Sequence, residues 1–220
     1  MKKESAIIRN KNDFAKIIKN NFDFLFSKTE KINLGLCGGN SIIPILKILT
    51  KTKVNWPKIN IFLTDERWVK SDHEESNFLI IKKYLIEKIN IPKENINYFD
   101  IEKGLAEYNK KFKKNGNRLD FIFFGVGEDG HIASLFPHQK SLTNKSNKYI
   151  KIHNSPKPPK TRISLSPNVI KNSKFSVALF FGTSKKNSLE NFLSSKITTN
   201  QCPAKIIKSS KKYFVFTDLK

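Results

Sequence analysis

The sequence predicts an α/β fold in which helices cover both faces of a mostly parallel β-sheet. Two observations point to this fold. Segments with apolar residues at helical spacing alternate along the chain with short apolar strands. Those strands lack polar alternation, which is typical of strands buried on both faces of a parallel sheet. The 220 residues contain no internal repeat and no low-complexity linker, so we expect one domain over residues 1–220.

The first half of the chain is predicted to contain a helix followed by a βαβ unit. The helix is predicted because apolar side chains recur at helical spacing between residues 14 and 26. Gly38 and Gly39 end the first strand, and the second helix begins close to them. Strand, turn, helix and strand in this order are typical of a βαβ unit. The predicted elements are a helix at 11–26, a strand at 32–37, a helix at 41–49 and a strand at 59–63.

The second half continues the alternation and ends on a strand. Its predicted elements are helices at 76–88 and 105–112, strands at 119–124 and 175–181, a helix at 185–193 and a strand at 213–217. Between them, residues 138–160 are rich in Lys, Ser, Asn and Pro and show little periodicity. We therefore predict a long surface loop there, of a length that is usually functional or mobile.

The chain is strongly basic, with 41 Lys+Arg against 19 Asp+Glu and a formal net charge of +22. Only four of these cations are arginines, namely Arg9, Arg67, Arg118 and Arg162. A surface selected to bind nucleic acid would use more arginine, because the guanidinium makes bidentate contacts to phosphate and guanine. Lysine-rich codon bias is the better interpretation, although a lysine-rich RNA-binding protein stays open as an alternative from another functional class.

Cysteine usage and hydropathy indicate the cellular compartment in which we expect the protein. Cys37 and Cys202 form neither a disulfide framework nor a C-x-x-C pair, so we expect a reducing, cytoplasmic environment. The amino terminus lacks a signal-peptide pattern, and no stretch approaches the ~18 apolar residues of a membrane span. We expect no membrane partner.

Four segments at predicted strand ends carry the candidate chemistry, because ligands of open α/β sheets bind beyond the carboxyl ends of the strands. In the first, Gly38 and Gly39 would let backbone amides approach an anion near a helix start, with Asn40 and Ser41 beside them. A tight strand-to-helix turn without a ligand explains the two glycines equally well.

The second segment contains Asp65, Glu66 and Arg67 directly after an apolar strand. Arg67 is suited to hold a phosphate through its planar guanidinium, and Asp65 or Glu66 to accept hydrogen bonds from sugar hydroxyls. The alternative is a solvated cluster at a strand end.

The fourth segment turns from strand into helix at residues 181–186, where Lys185 could reach a phosphate.

The third segment is the most informative, because a glycine-rich turn carries an acid and a histidine two residues apart. Asp129 and His131 lie in a turn with Gly127 and Gly130 after an apolar strand. A histidine in such a cleft can act as a general base, with the carboxylate orienting it. The four histidines and two distant cysteines show none of the usual metal-ligand spacings, so we predict no metal site.

These segments together resemble the 6-phosphogluconolactonase family. The resemblance rests on TDERWV at 64–69, GVGEDGHIASLFP at 125–137, PKPP at 156–159 and RISL at 162–165, in this order and spacing. It implies a three-layer αβα sandwich with a Rossmann-like, mostly parallel sheet. It also implies hydrolysis of 6-phospho-D-glucono-1,5-lactone, a small sugar-phosphate lactone, to 6-phosphogluconate in the oxidative pentose phosphate pathway, without a cofactor.

The resemblance also implies roles for individual residues. His131 resembles the general base that deprotonates water, and Asp129 its neighbouring carboxylate. Arg67 and Lys185 resemble the phosphate-binding groups, and Gly38 and Gly39 the loop that faces the substrate. Apart from the resemblance, the cations Lys157 and Arg162 suggest that the loop at 138–160 closes over the substrate. We expect a monomer.

The related glucosamine-6-phosphate deaminases share the Asp-Gly-His core and remain an alternative. They typically continue with AFNEP, whereas this chain reads ASLFP at 133–137 and lacks that glutamate. The glycine loop also departs from the lactonase pattern, because Cys37 and Asn40 replace hydroxyl residues.

Overall fold

A computed structural model describes residues 5–220. Within this range the chain forms ten strands and six α-helices. The strands are β1 (Ser5–Ile8), β2 (Ile32–Leu36), β3 (Ile59–Leu63), β4 (Asp65–Arg67), β5 (Ile96–Asn97), β6 (Phe121–Gly125), β7 (Tyr149–Ile152), β8 (Arg162–Leu165), β9 (Phe175–Phe180) and β10 (Lys212–Thr217). The helices are α1 (Lys11–Phe26), α2 (Ile43–Lys51), α3 (Asn77–Tyr84), α4 (Gly104–Lys114), α5 (Pro167–Lys171) and α6 (Lys186–Leu193).

The strands form two sheets in the described part of the chain. The central sheet has seven parallel strands in the order β1-β10-β9-β6-β2-β3-β5. The small sheet has three antiparallel strands in the order β4-β8-β7. Because β4 begins two residues after β3 ends, the small sheet starts directly at the carboxyl end of the central one.

Helices cover both faces of the central sheet, so the predicted three-layer α/β architecture is confirmed. Alternate residues of β6 point to opposite faces of the sheet. Phe121 and Phe123 pack in one core with α1, α2 and α3. Ile122 and Phe124 pack in a second core with α4, α5, α6 and the small sheet. Burial on both faces explains why these strands read as continuous apolar runs.

The predicted helices agree with the structure except at their ends. Helix α1 has the predicted bounds, because the side chain of Asn10 caps it by accepting from the amides of Asn12 and Asp13 at 2.7 and 3.3 Å. The helix predicted at 41–49 begins as a 3₁₀ turn over Asn40–Ile42 before α2. The helix predicted at 76–88 ends early, and a separate 3₁₀ turn covers Ile86–Lys88.

The prediction of an irregular loop over 138–160 was wrong in part. Strand β7 lies inside this range and pairs with β8 in an antiparallel ladder. Only its first and last residues, Tyr149 and Ile152, are buried. Such a short edge strand has too few inward residues to show a period. The phenol of Tyr149 reaches the central sheet and donates to the carbonyl of Leu63 at 2.5 Å.

A buried polar network closes the amino-terminal end of the central sheet. The Asp120 carboxylate is 1% exposed and accepts from the amide of Asn33 at 3.0 Å. Its other oxygen lies 3.0 Å from the Lys174 ammonium. The side chain of Asn60 donates to both Asn33 and Asn115, at 3.0 and 2.9 Å. These bonds fix the turn between α4 and β6. They also give partners to the buried amide of Asn33 and the buried side chain of Asn60.

Replacing Asp120 with alanine should lower the free energy of unfolding by about 2–3 kcal/mol, because it leaves a buried amide and a half-buried ammonium without their partner. Urea unfolding would measure the change. Glu107→Ala is the matched control: Glu107 forms an ion pair with Lys110 at 3.9 Å, but both side chains are exposed. That variant should change stability by less than about 0.5 kcal/mol. Equal losses in the two variants would contradict the structural role of Asp120.

Candidate active site

A polar cavity of about 160 Å³ opens at the carboxyl ends of β2, β3 and β6. Every predicted site residue except Asn40 and Asp129 lines it. The four predicted strand-end segments therefore meet in one place. The lining also contains residues that were not predicted to belong to the site, among them Cys37, Asn77, Val126 and Ala133.

The glycine loop after β2 forms one wall of the cavity. Gly39 has a φ of +77°, a backbone conformation that favours glycine. Gly38 lies so close to Asn77 that an added Cβ would fall 1.9 Å from its side-chain oxygen. The chain then enters the 3₁₀ turn that begins at Asn40, and this residue lies exposed outside the cavity lining. The prediction that Asn40 binds substrate is therefore not supported by its position, whereas Ser41 does line the cavity.

Cys37 lies at the start of the same loop but is not equipped as a nucleophile. Its sulfur accepts a hydrogen bond from the amide of Gly125 at 3.0 Å, and the residue is 4% exposed. Burial raises the pKa of this thiol to about 12, so it stays protonated near neutral pH. Its hydrogen bond instead ties the ends of β2 and β6 together.

Glu66 is a structural residue, which settles one alternative that the sequence left open. Its carboxylate is 1% exposed and accepts from the amides of Asn77 and Phe78, each at 2.8 Å, and from the hydroxyl of Ser76 at 2.9 Å. It thereby caps the start of α3. Burial raises the pKa of Glu66, against these hydrogen bonds. Glu66 is therefore occupied by protein donors and does not line the cavity.

Asp65 lines the cavity, and hydrogen bonds from protein donors hold its side chain in place. One oxygen accepts from the hydroxyl of Ser134 at 2.7 Å, and the other from Thr64 at 3.1 Å. The side-chain amide of Asn77 donates to the backbone carbonyl of Asp65 at 2.8 Å. Asp65 is thus fixed in place whether or not a sugar hydroxyl also reaches it.

Arg67 follows on β4 and also lines the cavity. One terminal nitrogen donates to the backbone carbonyl of Glu75. Its Nε is buried and has no hydrogen-bond partner among residues 5–220. The guanidinium thus keeps donor capacity that the described residues do not use, and Arg67 lines the cavity.

His131 and Asp129 form a direct pair on the turn after β6. The Nδ1 of His131 lies 2.5 Å from Oδ1 of Asp129, and the same oxygen accepts the His131 amide at 3.1 Å. Burial raises the pKa of Asp129, but the hydrogen bond and charge of His131 outweigh it and lower that pKa from 3.8 to about 2. An ionised carboxylate only accepts, so Nδ1 carries the proton and Nε2 is left as a base.

Close packing fixes the turn that carries this pair. A Cβ added at Gly127 would lie 2.0 Å from Nδ1 of His131, so the ring occupies space that only glycine leaves free. Gly130 has a φ of +80°, and its added Cβ would lie 2.8 Å from the sulfur of Cys202. On its other side, the His131 ring packs against Phe136 with centroids 4.6 Å apart.

Three further cations line the cavity, namely Lys157, Arg162 and Lys185. Burial lowers the pKa of Lys185, and the charge of Lys157 lowers it further, while Glu128 opposes the shift from 4.0 Å away. Burial also lowers the pKa of Arg162, against the charge of Asp65. Lys185 rather than its neighbour Lys186 belongs to the lining.

The residues that the structure describes contain no group of three or more side chains suited to hold a metal ion. In the same part of the chain, none of the helices has both the length and the apolar character needed to cross a membrane.

Comparison with known proteins agrees with this geometry. The model of the family described as glucosamine-6-phosphate isomerases/6-phosphogluconolactonase matches residues 9–216. The chain belongs to this family. A 6-phosphogluconolactonase of Borreliella burgdorferi is 39% identical over 212 residues, covering 90% of each chain. One of Thermotoga maritima is 30% identical over 89% of this chain and 88% of its own.

Solved structures of the family show the same architecture. The crystal structure of 6-phosphogluconolactonase from Thermotoga maritima superposes with a TM-score of 0.85 at 28% identity, covering 97% of this chain and 99% of that one. The αβα fold that the resemblance implied is therefore the fold of this family.

Replacing His131 with asparagine should raise the pKa of Asp129 from about 2 towards 3.8, because the hydrogen bond and charge of the imidazole are lost while the backbone hydrogen bonds remain. The parent carboxylate stabilises the folded state above pH 3.8, and this contribution is lost as the pH falls through about 2. A carboxyl NMR titration would measure both values.

The matched control is His138→Asn, since His138 has a φ of +61° that asparagine tolerates and its ring contacts Asn200 instead. The pKa of Asp129 should stay near 2 in this control. The same low value in His131→Asn would show that the imidazole is not its cause.

Proposed function

We propose that the chain is an enzyme that hydrolyses 6-phospho-D-glucono-1,5-lactone to 6-phosphogluconate, the lactonase step of the oxidative pentose phosphate pathway. The observation that carries the proposal is the His131–Asp129 pair, which leaves a basic nitrogen beside a cavity lined with cations. The relatives that are 39% and 30% identical to this chain are both 6-phosphogluconolactonases.

In the proposed reaction, Nε2 of His131 takes a proton from water as the water oxygen bonds to C1 of the lactone. The bond between C1 and the ring oxygen then breaks, and the proton passes from His131 to that oxygen. The products are a hydroxyl and a carboxylic acid, and the acid releases its proton to solvent to become the carboxylate. Asp129 stays ionised, orients the ring through Nδ1 and stabilises the imidazolium that forms. Backbone amides of the glycine turns are suited to stabilise the oxyanion at C1.

Binding of the phosphate is assigned to cations on three separate segments. Arg67 offers its guanidinium, and Lys185 and Lys157 offer ammonium groups, and all three residues line the cavity. Burial lowers the pKa of Lys185 in the free protein, and the charge of Lys157 adds to this effect. A bound dianion would favour the charged ammonium, and binding energy from this remote group positions C1 against the base.

The glycine loop and Asp65 are assigned to the sugar. Gly38, Gly39 and Ser41 line the wall after β2, where they can contact the substrate, and Asp65 offers its remaining acceptor capacity to a hydroxyl. We further propose that residues 1–220 are one domain that acts as a cytoplasmic monomer and needs neither nucleic acid nor a membrane.

The parent protein should accelerate the loss of freshly generated 6-phosphogluconolactone above the spontaneous rate, measured as acid release at constant pH. His131→Asn should lower kcat by about 10²–10⁴, the usual contribution of a general base. His138→Asn serves as the matched control and should keep the parent rate.

No acceleration by the parent would refute the lactonase assignment, and an unchanged rate in His131→Asn would remove this residue as the base. Ammonia release from glucosamine 6-phosphate would favour the isomerase branch of the family instead. Tight RNA binding that falls steeply with salt would favour the nucleic-acid alternative.

A further inference from the structure

The guanidinium of Arg162 is committed to the backbone of a neighbouring loop. Its Nε donates to the carbonyl of Pro159 at 3.2 Å, and one terminal nitrogen donates to the carbonyls of Lys157 and Pro158 at 3.2 and 3.0 Å. Arg162 is 5% exposed, and its three bonds to the more exposed loop are partly buried. Three consecutive carbonyls therefore converge on one side chain.

This loop depends on a side-chain donor because of its sequence. Pro158 and Pro159 have no N–H group to donate, and a backbone bond from the Ser155 amide to the Lys160 carbonyl at 3.0 Å closes the base of the loop. From the other end, the Ser155 hydroxyl holds the loop by donating to the Lys157 carbonyl at 2.7 Å. A planar guanidinium with several N–H groups matches three carbonyls in a way that a lysine ammonium cannot.

Arg162 is itself anchored on its other side. Its guanidinium carbon lies 5.8 Å from the centroid of the Phe136 ring, within the range of a cation–π contact. Phe136 is 1% exposed and in turn packs on the His131 ring. The guanidinium thus has a fixed position relative to the base.

The loop presents one side chain to the cavity, that of Lys157. Its ammonium makes no hydrogen bond or ion pair with any residue between 5 and 220. A cation that lines a cavity and lacks an acceptor is suited to a ligand anion. Its reach is determined by the backbone that Arg162 holds.

We propose that Arg162 is a positioning residue that sets where Lys157 meets the substrate phosphate, and that it does not bind the phosphate itself. This inference rests on the proposed function. It makes the Lys157 ammonium a determinant of the preference for phosphorylated over unphosphorylated lactone. The competing interpretation is that Arg162 contacts the phosphate directly through its remaining terminal nitrogen.

The test measures selectivity, defined as kcat/KM for 6-phosphogluconolactone divided by kcat/KM for glucono-1,5-lactone, which lacks the phosphate. Four variants are compared with the parent: Lys157→Gln, Arg162→Lys, the double variant, and Arg118→Lys as the matched control. Arg118 has an exposed side chain at the opposite end of the sheet, 3.8 Å from Asp120. Arg162→Lys keeps the positive charge but loses the three-carbonyl fork.

Lys157→Gln should lower selectivity by about 10-fold or more, as expected for the loss of a charged hydrogen bond to phosphate. Arg162→Lys should lower it by a similar factor, and the double variant should be no worse than Lys157→Gln. The Arg118→Lys control should retain the parent selectivity. A purely structural role for Arg162 would instead lower both kcat/KM values equally and leave selectivity unchanged, which would overturn the proposal.

The proposal would also be overturned if the loss of selectivity in the double variant equalled the product of the two single losses. Arg162 would then act on the phosphate independently of Lys157. If the parent hydrolyses neither lactone, the proposed function fails but the positioning role can still be tested. Calorimetry would then compare the affinity for 6-phosphogluconate with that for gluconate in the same proteins. An unchanged affinity ratio in Arg162→Lys would overturn the positioning role on its own.

Discussion

The buried carboxylate of Asp65 is the point on which the geometry of the cavity depends. It stands at the start of the small sheet, directly beyond β3, and its register partner across β4 and β8 is Ser164. Through Ser134 it holds the segment that follows His131, since the Ser134 hydroxyl donates to it at 2.7 Å and the Ser134 amide donates to Ser164 at 3.2 Å. This buried side chain thereby ties the two sheets and the His131 turn together.

The polar residues of the cavity region divide into those that bind the protein and those that are left to bind a ligand. Glu66 is saturated by helix amides, and the described contacts of Arg162 are to backbone carbonyls and the Phe136 ring. Arg67 retains a buried N–H without a partner, and Lys157 lies in the lining without an acceptor among the described residues. These cations give the cavity a positive charge that attracts an anionic ligand.

The sequence predicts those parts of the fold that depend on local pattern. Strands β2, β3 and β6 are buried on both faces and read as apolar runs, and α1 carries both its period and its Asn10 cap. Strands β4, β5 and β7 contain two to four residues, too few to show a period. These segments form strands because neighbouring strands supply their backbone hydrogen bonds. The partner of β4 is β8, about a hundred residues away in the chain. No window along the sequence contains that information.

The same distinction separates the site residues that the sequence identifies from those whose roles it leaves open. Glycine positions in a strand-end turn restrict the backbone locally, so the residues around Asp129 and His131 indicate a site from their local pattern alone. Glu66 and Arg67 are adjacent but oppositely charged: the Glu66 carboxylate accepts the free amides of α3, whereas Arg67 lines the cavity. Arg162 likewise donates to three carbonyls of the neighbouring loop, in which two prolines supply no N–H of their own. Charge type can be read from a sequence, but what a charge binds is decided by which unpaired groups the fold brings to it.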